Sequence, residues 1–346
     1  MNRKEVWMFF VKVVLVFLAI SICSSPIMAA DRAFPKTVIK LAHVLATETS
    51  THAGSVKFSE LMKERTGGAV TVQIFPNSQL GNEKDEMEQI RNGMIQMSVV
   101  GGMSLSNVKG WEPLNVVFMP FVMKQDTEEK QNEMLNKIYQ MPFMRNAIAK
   151  AHEISGIRSL DSNWFYGMRH VTTRNKPIKN VADLKGVKIR TMDTPIARLA
   201  MDALGASVAP MAFSELYSAL QMGVIDGQEN PPNTIYTSKF YEVQKYMALT
   251  GHQTQSMCCV IGEKFYQNLA PELRSIIAQA ALDAGIYQSM LQIKANAQNI
   301  GDMKAKGMIV NTVNRVEFAE KSKDAWKKFE ANMGKGLYEQ FLSAQK

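Results

Sequence analysis

The stretch Met211–Pro232, MAFSELYSALQMGVIDGQENPP, constrains the fold more than any other part of this chain. Apolar side chains recur at helical spacing over 213–222, and Gly223 supplies the left-handed residue that commonly ends a helix. The segment 224–226 follows at once as a predicted strand. A helix that leads directly into a strand indicates an α/β fold.

The end of this stretch predicts where a ligand binds. Gly227 lets the backbone turn, and Pro231 and Pro232 oppose a return to helix. Asn230 is therefore expected at the carboxyl end of a strand, which is where open α/β sheets hold their ligands.

Strand and helix patterns alternate along the rest of the chain. The first part has predicted strands at Thr37–Ala46, Val70–Ile74 and Ser98–Val100, and predicted helices at Thr49–Glu64 and Glu83–Asn92. The rhythm restarts after about residue 160, and a second sheet is predicted from Ile157–Val171, Val181–Gly186, Gly186–Thr191 and Gly205–Pro210. This alternation predicts a mostly parallel sheet wrapped by helices, and the restart predicts two domains.

Pro271–Lys306 is predicted to form one long helix, because it contains no proline after its first position and keeps an apolar stripe. At 1.5 Å per residue such a helix is about 50 Å long, which exceeds the width of one domain. A strand at Met308–Asn311 and a mainly helical segment at Val316–Phe341 are predicted to complete the chain.

Residues 1–30 have the pattern of a secretory signal peptide. A basic start precedes the apolar run Val13–Ile22, and small residues precede Asp31, so we predict cleavage near Ala30. A membrane anchor is the alternative, but this run is about half of the roughly 20 apolar residues that cross a bilayer. A lipoprotein signal at Cys23 is a second alternative. Export predicts a periplasmic protein.

The composition argues against several classes of function. The formal net charge falls from +8 to +6 when residues 1–30 are removed, and the basic residues are spread over helical segments, so nucleic-acid binding is not expected. The sequence has no Gly-x-Ser-x-Gly elbow, no His-Glu-x-x-His helix and no phosphate loop, so we expect no catalytic site, metal or cofactor. Cys258 and Cys259 are adjacent and flanked by apolar residues, which favours a buried strand over a redox pair.

The segment SELYSALQMGVIDGQENPP resembles the periplasmic solute receptors of tripartite ATP-independent (TRAP) transporters, of the DctP type. The resemblance implies a two-domain, periplasmic-binding-protein-like α/β fold with a ligand cleft between the domains and a long helix across both. It implies domain I at 31–160 plus about 256–295, and domain II at 161–255 plus about 296–346. It also implies a non-catalytic receptor that delivers an organic acid to a sodium-coupled TRAP permease.

Two arginines are the first candidate ligand-binding residues. Arg190 ends the strand pattern of DLKGVKIRTMDTP, and a guanidinium can hold a carboxylate through two parallel hydrogen bonds. The resemblance implies this role for Arg190, with a structural salt bridge as the alternative. Arg169, in WFYGMR, matches a second arginine that the family offers to the ligand. An interdomain ion pair, or an alignment on Arg174 instead, remains open for Arg169.

Three further candidates come from the second half of the predicted cleft. Asn230 and Phe213 match positions at which family members contact the solute, and the alternatives are a turn-forming Asn and a core aromatic. Trp164 is a candidate apolar wall of the cleft, with burial in a core as the alternative.

The remaining candidates are Glu83, His43 and Asp193. Glu83 aligns with a residue that contacts solute hydroxyls in sialic-acid-binding members, although the helix dipole alone explains an acid there. His43 ends the first predicted strand, facing the cleft, and a core histidine is the alternative. Asp193 stands where those receptors carry an amide, and 99–103 lacks their charged side chains. These departures favour a smaller or more apolar acid over sialic acid.

Two other functions remain open at this stage. One is an exported α/β enzyme that acts on a carboxylate, and the other is a sensory ligand-binding protein. A monomer is expected, and a dimer that pairs through Val316–Phe341 is the alternative.

Overall fold

Strands and helices alternate along the computed structural model, which describes residues 34–346, so the predicted signal peptide at 1–30 lies outside the described residues. The strands are β1 Thr37–Ala42, β2 Val70–Phe75, β3 Met97–Gly101, β4 Ile157–Thr173, β5 Lys188–Thr191, β6 Ser207–Pro210, β7 Gly227–Asn230, β8 Tyr246–Gly262 and β9 Ile309–Thr312. The α-helices are α1 Ser50–Arg65, α2 Glu83–Arg91, α3 Gly102–Leu105, α4 Glu128–Gln140, α5 Pro142–Ser155, α6 Pro195–Ala203, α7 Leu216–Met222, α8 Pro232–Thr237, α9 Glu263–Gln267, α10 Pro271–Ala305, α11 Arg315–Ser322, α12 Glu330–Met333 and α13 Leu337–Ser343. Short 3₁₀ helices lie at Glu112–Phe118, Val181–Leu184, Phe213–Glu215, Phe240–Glu242 and Ala325–Lys328.

The described strands form one sheet in the order β2-β1-β3-β8-β4-β7-β5-β6, and β9 pairs with β8. β1 lies parallel to β2 and β3, and β5 lies parallel to β6 and β7. The α/β fold class predicted from the sequence is therefore confirmed. The prediction of a separate second sheet is wrong, because β4 and β8 have 17 residues each and pair along both groups of strands.

The long helix predicted at Pro271–Lys306 is confirmed as α10, which has 35 residues. It packs on α1, β4 and α8, so it contacts elements from both ends of the sheet. Its buried face carries several polar side chains, namely Gln288, Ser289, Gln292, Asn296 and Asn299. A long helix with a polar buried face can hydrogen-bond the elements that it crosses.

The predicted C-terminal helical segment is helical but not continuous. It is divided into α11, a 3₁₀ helix, α12 and α13, and Gly334 lies between the last two with φ 109°. Phe329 and Phe341 belong to the same hydrophobic cluster as Phe118 and Leu135. The end of the chain therefore packs against the elements that precede β4.

The stretch that follows α7 differs from its prediction in two places. The strand is Gly227–Asn230 rather than 224–226. Gly227 lies inside this strand at a position with no room for a side chain, since an added Cβ would stand 2.1 Å from the Thr172 carbonyl oxygen of β4. Pro232 does not prevent a helix but begins α8, since proline at the first helical position loses no hydrogen bond. Asn230 nevertheless ends a strand, as predicted.

Within residues 34–346, no helix combines the length and the apolar character that are needed to cross a membrane.

Candidate functional site

A cavity of about 710 Å³ opens at the carboxyl ends of β5 and β7, between these strands and the first turn of α2. Of the eight residues predicted to bind a ligand, six line it: Glu83, Arg169, Arg190, Asp193, Phe213 and Asn230. Their roles stay predictions, but their placement on one cavity makes a shared binding site chemically reasonable.

Arg190 is buried, with 2% of its surface exposed, at the end of β5. Its Nε and Nη2 donate to the Met211 carbonyl oxygen at 3.1 and 2.8 Å, and its Nη1 is buried with no partner among the described residues. Burial lowers the pKa of Arg190 to about 10, although Glu229 acts in the opposite direction, so the group stays protonated at neutral pH. This cation has a free donor and no carboxylate bound to it.

Arg169, on β4, is also buried but its charge is matched. Its Nε pairs with the Glu229 carboxylate of β7, and its Nη2 donates to Glu229 Oε1 at 2.8 Å and to the Glu229 carbonyl at 2.6 Å. Burial acts to raise the pKa of Glu229, but Arg169 and His252 more than offset this and lower it to about 2. Arg169 and Glu229 are therefore an ion pair at neutral pH.

Asn230 and Gln255 complete the hydrogen bonds of Arg169. Asn230 Oδ1 accepts from Arg169 Nη2 at 3.1 Å, and Gln255 Oε1, on β8, accepts from Nη1. Asn230 Nδ2 donates to Gln228 Oε1 at 2.5 Å. The floor of the cavity is therefore a fixed set of amides and one neutralised guanidinium.

Glu83 forms the opposite wall, and the sequence places it there by capping. The Asn82 side chain accepts from the backbone N–H of Asp85, and Asp85 accepts from that of Asn82, which fixes Glu83 in the first turn of α2. Glu83 Oε1 accepts from the Gly101 N–H at 2.5 Å, and Oε2 accepts from the Ser104 hydroxyl. An acceptor thus faces the cavity across from Arg190.

Gly101 has no room for a side chain at this wall. An added Cβ would lie 2.7 Å from Gln255 Nε2 and 3.2 Å from Glu83 Oε1. Glycine at this position therefore lets the side chains of Glu83, from α2, and Gln255, from β8, approach the backbone of residue 101.

Phe213 and Asp193 lie on the outer side of the cavity. The Phe213 ring centroid is 5.9 Å from Arg190 Cζ and 6.2 Å from the Phe240 centroid, so the ring contacts both the core and the buried cation. Asp193 is exposed and forms an ion pair with Arg198. A water-exposed carboxylate that is already paired offers little to a buried ligand.

His43 and Trp164 are not among the residues that line the cavity. His43 is fully buried, its Nε2 lies 3.0 Å from His52 Nδ1, and burial lowers its pKa to about 3. Trp164 is fully buried beneath α10 and donates Nε1–H to the Ala281 carbonyl at 3.1 Å. Arg174, the alternative alignment for Arg169, hydrogen-bonds the Leu220 and Gln221 carbonyls instead.

Glu229, Gln255 and Tyr166 also belong to the site but were not among the residues predicted from the sequence. Nothing local in the sequence shows that β7 pairs with β4, which brings Glu229 within reach of Arg169. For Gln255 a signal existed, because residues 252–256 are five consecutive polar residues inside a long, otherwise apolar strand. Tyr166 lies in the segment that drew attention to Arg169.

The site has the chemistry of recognition. It combines one unmatched buried cation, a neutral network of amides and an acidic acceptor, and the described residues contain no group of side chains that could hold a metal ion. A carboxylate at Arg190 Nη1 would gain a charge-assisted hydrogen bond.

Comparison with known proteins points to the same chemistry. The model of bacterial extracellular solute-binding protein family 7, DctP, matches residues 41–332. The chain is 32% identical to the 2,3-diketo-L-gulonate-binding periplasmic protein YiaO of Escherichia coli over 82% of this chain and 83% of that protein. It is also 32% identical to the C4-dicarboxylate-binding periplasmic protein DctP of Rhodobacter capsulatus, over 84% and 83% of the two chains.

A solved structure extends the likeness to three dimensions. A TRAP periplasmic solute binding protein from Ochrobacterium anthropi with bound L-fuconate has a TM-score of 0.84 and 29% identity, and the match covers 90% of this chain and all of that one.

Proposed function

Because the chain belongs to the DctP family of bacterial extracellular solute-binding proteins, we propose that it is a periplasmic receptor that binds an organic acid and delivers it to a TRAP membrane permease for sodium-coupled uptake. The observation that carries this proposal is Arg190, a buried cation whose Nη1 has no partner and which lines a cavity of about 710 Å³. An unpaired buried charge is costly to a folded protein, so a ligand carboxylate that pairs with it gains strongly on binding.

The acid that suits the cavity is a hydroxylated monocarboxylate, such as a sugar acid. Arg190 supplies one unmatched positive charge, since Glu229 already neutralises Arg169. Glu83 supplies an acceptor on the opposite wall, and it would attract a hydroxyl and repel a second carboxylate. Asn230 and Gln255 add amide groups between these two ends. The polar lining thus favours a hydroxylated acid over the smaller or more apolar one expected from the sequence.

Ligand enclosure requires that the two sides of the cavity move. Glu83 comes from the part of the chain assigned to domain I, and Arg190 and Asn230 come from the part assigned to domain II. The proposed boundaries near residues 160 and 255 fall inside β4 and β8, which would act as the hinge. Bending of these strands around a bound acid would exclude water from the ion pair.

A thermal-shift assay with a matched pair of ligands tests the proposal. The chain without residues 1–30 is melted with L-fuconate, with succinate and with the neutral sugar L-fucose. An acid at about 100 times its Kd adds roughly 2.7 kcal/mol of stability, which raises Tm by about 4 °C for a chain of this size. We expect L-fuconate to raise Tm and L-fucose to leave it unchanged.

Matched arginine variants make this test specific. Arg190→Met should abolish the shift, and Arg174→Met should keep it, because Arg174 also binds backbone carbonyls but lies outside the cavity. A shift with L-fucose and none with any acid would contradict the proposal. Conversion of the bound acid, followed by mass spectrometry, would favour an exported enzyme instead.

A further inference from the structure

A chain of buried polar contacts runs behind the cavity and joins α4, β4, α8 and α1. Glu128, the first residue of α4, accepts from the Met168 N–H of β4 at 2.7 Å and from Asn296 Nδ2 of α10 at 3.0–3.1 Å. Asn296 Oδ1 accepts from the Asn233 N–H of α8 at 2.9 Å. Asn233 Oδ1 lies 3.4 Å from the Ser50 N–H of α1. Four elements are thereby tied to the long helix.

Asn296 contacts β4 directly and is connected to β7 through α8. Its Nδ2 lies 3.3 Å from the Tyr166 carbonyl oxygen of β4, and Tyr166 lines the cavity. The Asn233 N–H that it accepts belongs to the first turn of α8, three residues after Asn230 of β7. The buried amide is only 2% exposed and both ends of it are bonded.

Gly167 allows this arrangement, and its backbone shows where β4 bends. It has φ 109°, and an added Cβ would lie 2.2 Å from Asn296 Nδ2 and 2.6 Å from Glu128 Oε1. The register of β4 against β8 also shifts between Phe165 and Gly167. The carboxylate and the amide therefore close directly on an irregular point of the strand, between the cavity residues Tyr166 and Arg169.

We propose that Glu128 and Asn296 are positioning residues for ligand binding, which hold β4 and β7 to α10 so that Tyr166, Arg169 and Asn230 face the cavity correctly. The proposal rests on the proposed function, since it assumes that these three residues meet a ligand. Among the described residues, the Glu128 carboxylate accepts hydrogen bonds from the Met168 N–H and from Asn296, neither of which lines the cavity. Its effect on binding must pass through the Met168 N–H and Asn296.

Loss of the Glu128 carboxylate should make β4 more mobile at the register shift beside Gly167. Without it, the Met168 N–H loses its acceptor and Asn296 Nδ2 keeps only the Tyr166 carbonyl oxygen, so β4 is held less firmly beside Gly167. Arg169 lies one residue after Met168, so the orientation of its guanidinium should change with the strand. Gln in place of Glu128 keeps one carbonyl oxygen for the Met168 N–H and should restore part of the geometry.

The test compares Glu128→Ala and Glu128→Gln with Glu112→Ala in the chain without residues 1–30. Glu112 is a matched control because it also begins a helix, is partly buried and accepts a backbone N–H, that of Gly110, at 2.7 Å. The first readout is the NMR signal of the Arg169 Nε–H in the ligand-free protein. The second is the Kd for L-fuconate from calorimetry.

The expected result is a shifted or broadened Arg169 signal in Glu128→Ala, with Glu128→Gln between it and the wild type and Glu112→Ala unchanged. The Kd should rise by about tenfold or more in Glu128→Ala, which corresponds to about 1.4 kcal/mol. An unmoved Arg169 signal, or an equal loss of affinity in the Glu112 control, would overturn the positioning role. If the wild type binds no acid, the proposed function fails, and the NMR signals alone decide the role of Glu128.

Discussion

Replacement of Arg190 by Met should separate stability from binding. The substitution removes a buried guanidinium that has no carboxylate partner, and Met fills part of its volume with an apolar side chain. The change relieves the cost of burying an unpaired charge, which amounts to several kcal/mol. It also leaves the Met211 carbonyl oxygen without its two donors, at a cost of about 1–3 kcal/mol.

These two terms nearly cancel in the ligand-free protein. We expect the free energy of unfolding to stay within about 1 kcal/mol of the wild type, a change in Tm of at most about 2 °C. Binding has no such compensation. Removal of one partner of a desolvated ion pair costs about 2–5 kcal/mol, so the Kd for the acid should rise by about 30-fold to several thousand-fold.

Arg169→Met is the matched comparison, because this arginine is equally buried but paired. Its loss leaves Glu229 as a buried anion beside His252, which should cost about 3–5 kcal/mol and lower Tm by about 5–8 °C. Thermal melts and calorimetry on both variants measure the contrast. If Arg190→Met lowers Tm as far as Arg169→Met, or binds the acid as tightly as the wild type, then Arg190 is a structural residue and the argument fails.

Three further outcomes follow from the same geometry. Glu83→Gln keeps an acceptor for the Gly101 N–H but removes the negative charge, so calorimetry should show about tenfold better binding of succinate relative to L-fuconate; an unchanged ratio would mean that Glu83 does not set this preference. Gly101→Ala should weaken binding by about tenfold, because its Cβ would displace Glu83 and Gln255, and a crystal structure of the variant would show whether they move. Burial raises the pKa of Glu86 from 4.5 to about 8, so between these pH values the folded chain holds a proton that the unfolded chain loses. The contribution of this proton to the free energy of unfolding is full below pH 4.5 and is lost as pH rises through 8. Urea unfolding at several pH values should give a slope of at most about 1.4 kcal/mol per pH unit from this group, and Glu86→Gln should flatten it.

The local sequence pattern was sufficient to place the site residues whose position depends on a single strand or helix. The strand pattern before Arg190 placed its side chain at the carboxyl end of β5, and the structure has it there. The same reasoning could not separate Trp164 from Tyr166, two residues apart in β4. Alternation would put both on one face, but the register shift between Phe165 and Gly167 leaves Trp164 under α10 and Tyr166 on the cavity.

The order of the strands in the sheet brings together residues whose proximity could not be predicted from the sequence. Arg169 and Glu229 are 60 residues apart and meet only because β7 lies beside β4. His252 reaches the same carboxylate from β8, on the other side of β4. Each of these residues alone has a pattern typical of several roles, so the ion pair becomes visible only when three strands are assembled.

The pairing of Arg169 explains how two guanidinium groups can share one small buried site. The charge of Arg169 lowers the pKa of Arg190, and that of Glu229 raises it, so Glu229 offsets the repulsion between the two arginines. Of the two buried arginines, Arg190 alone has no carboxylate bonded to it among the described residues, and Glu83 places a negative charge on the same cavity lining. A monocarboxylate can pair with Arg190, whereas a second carboxylate on the same acid would be repelled by Glu83. We therefore expect charge matching inside the cavity, rather than the number of arginines, to determine which acids the protein binds.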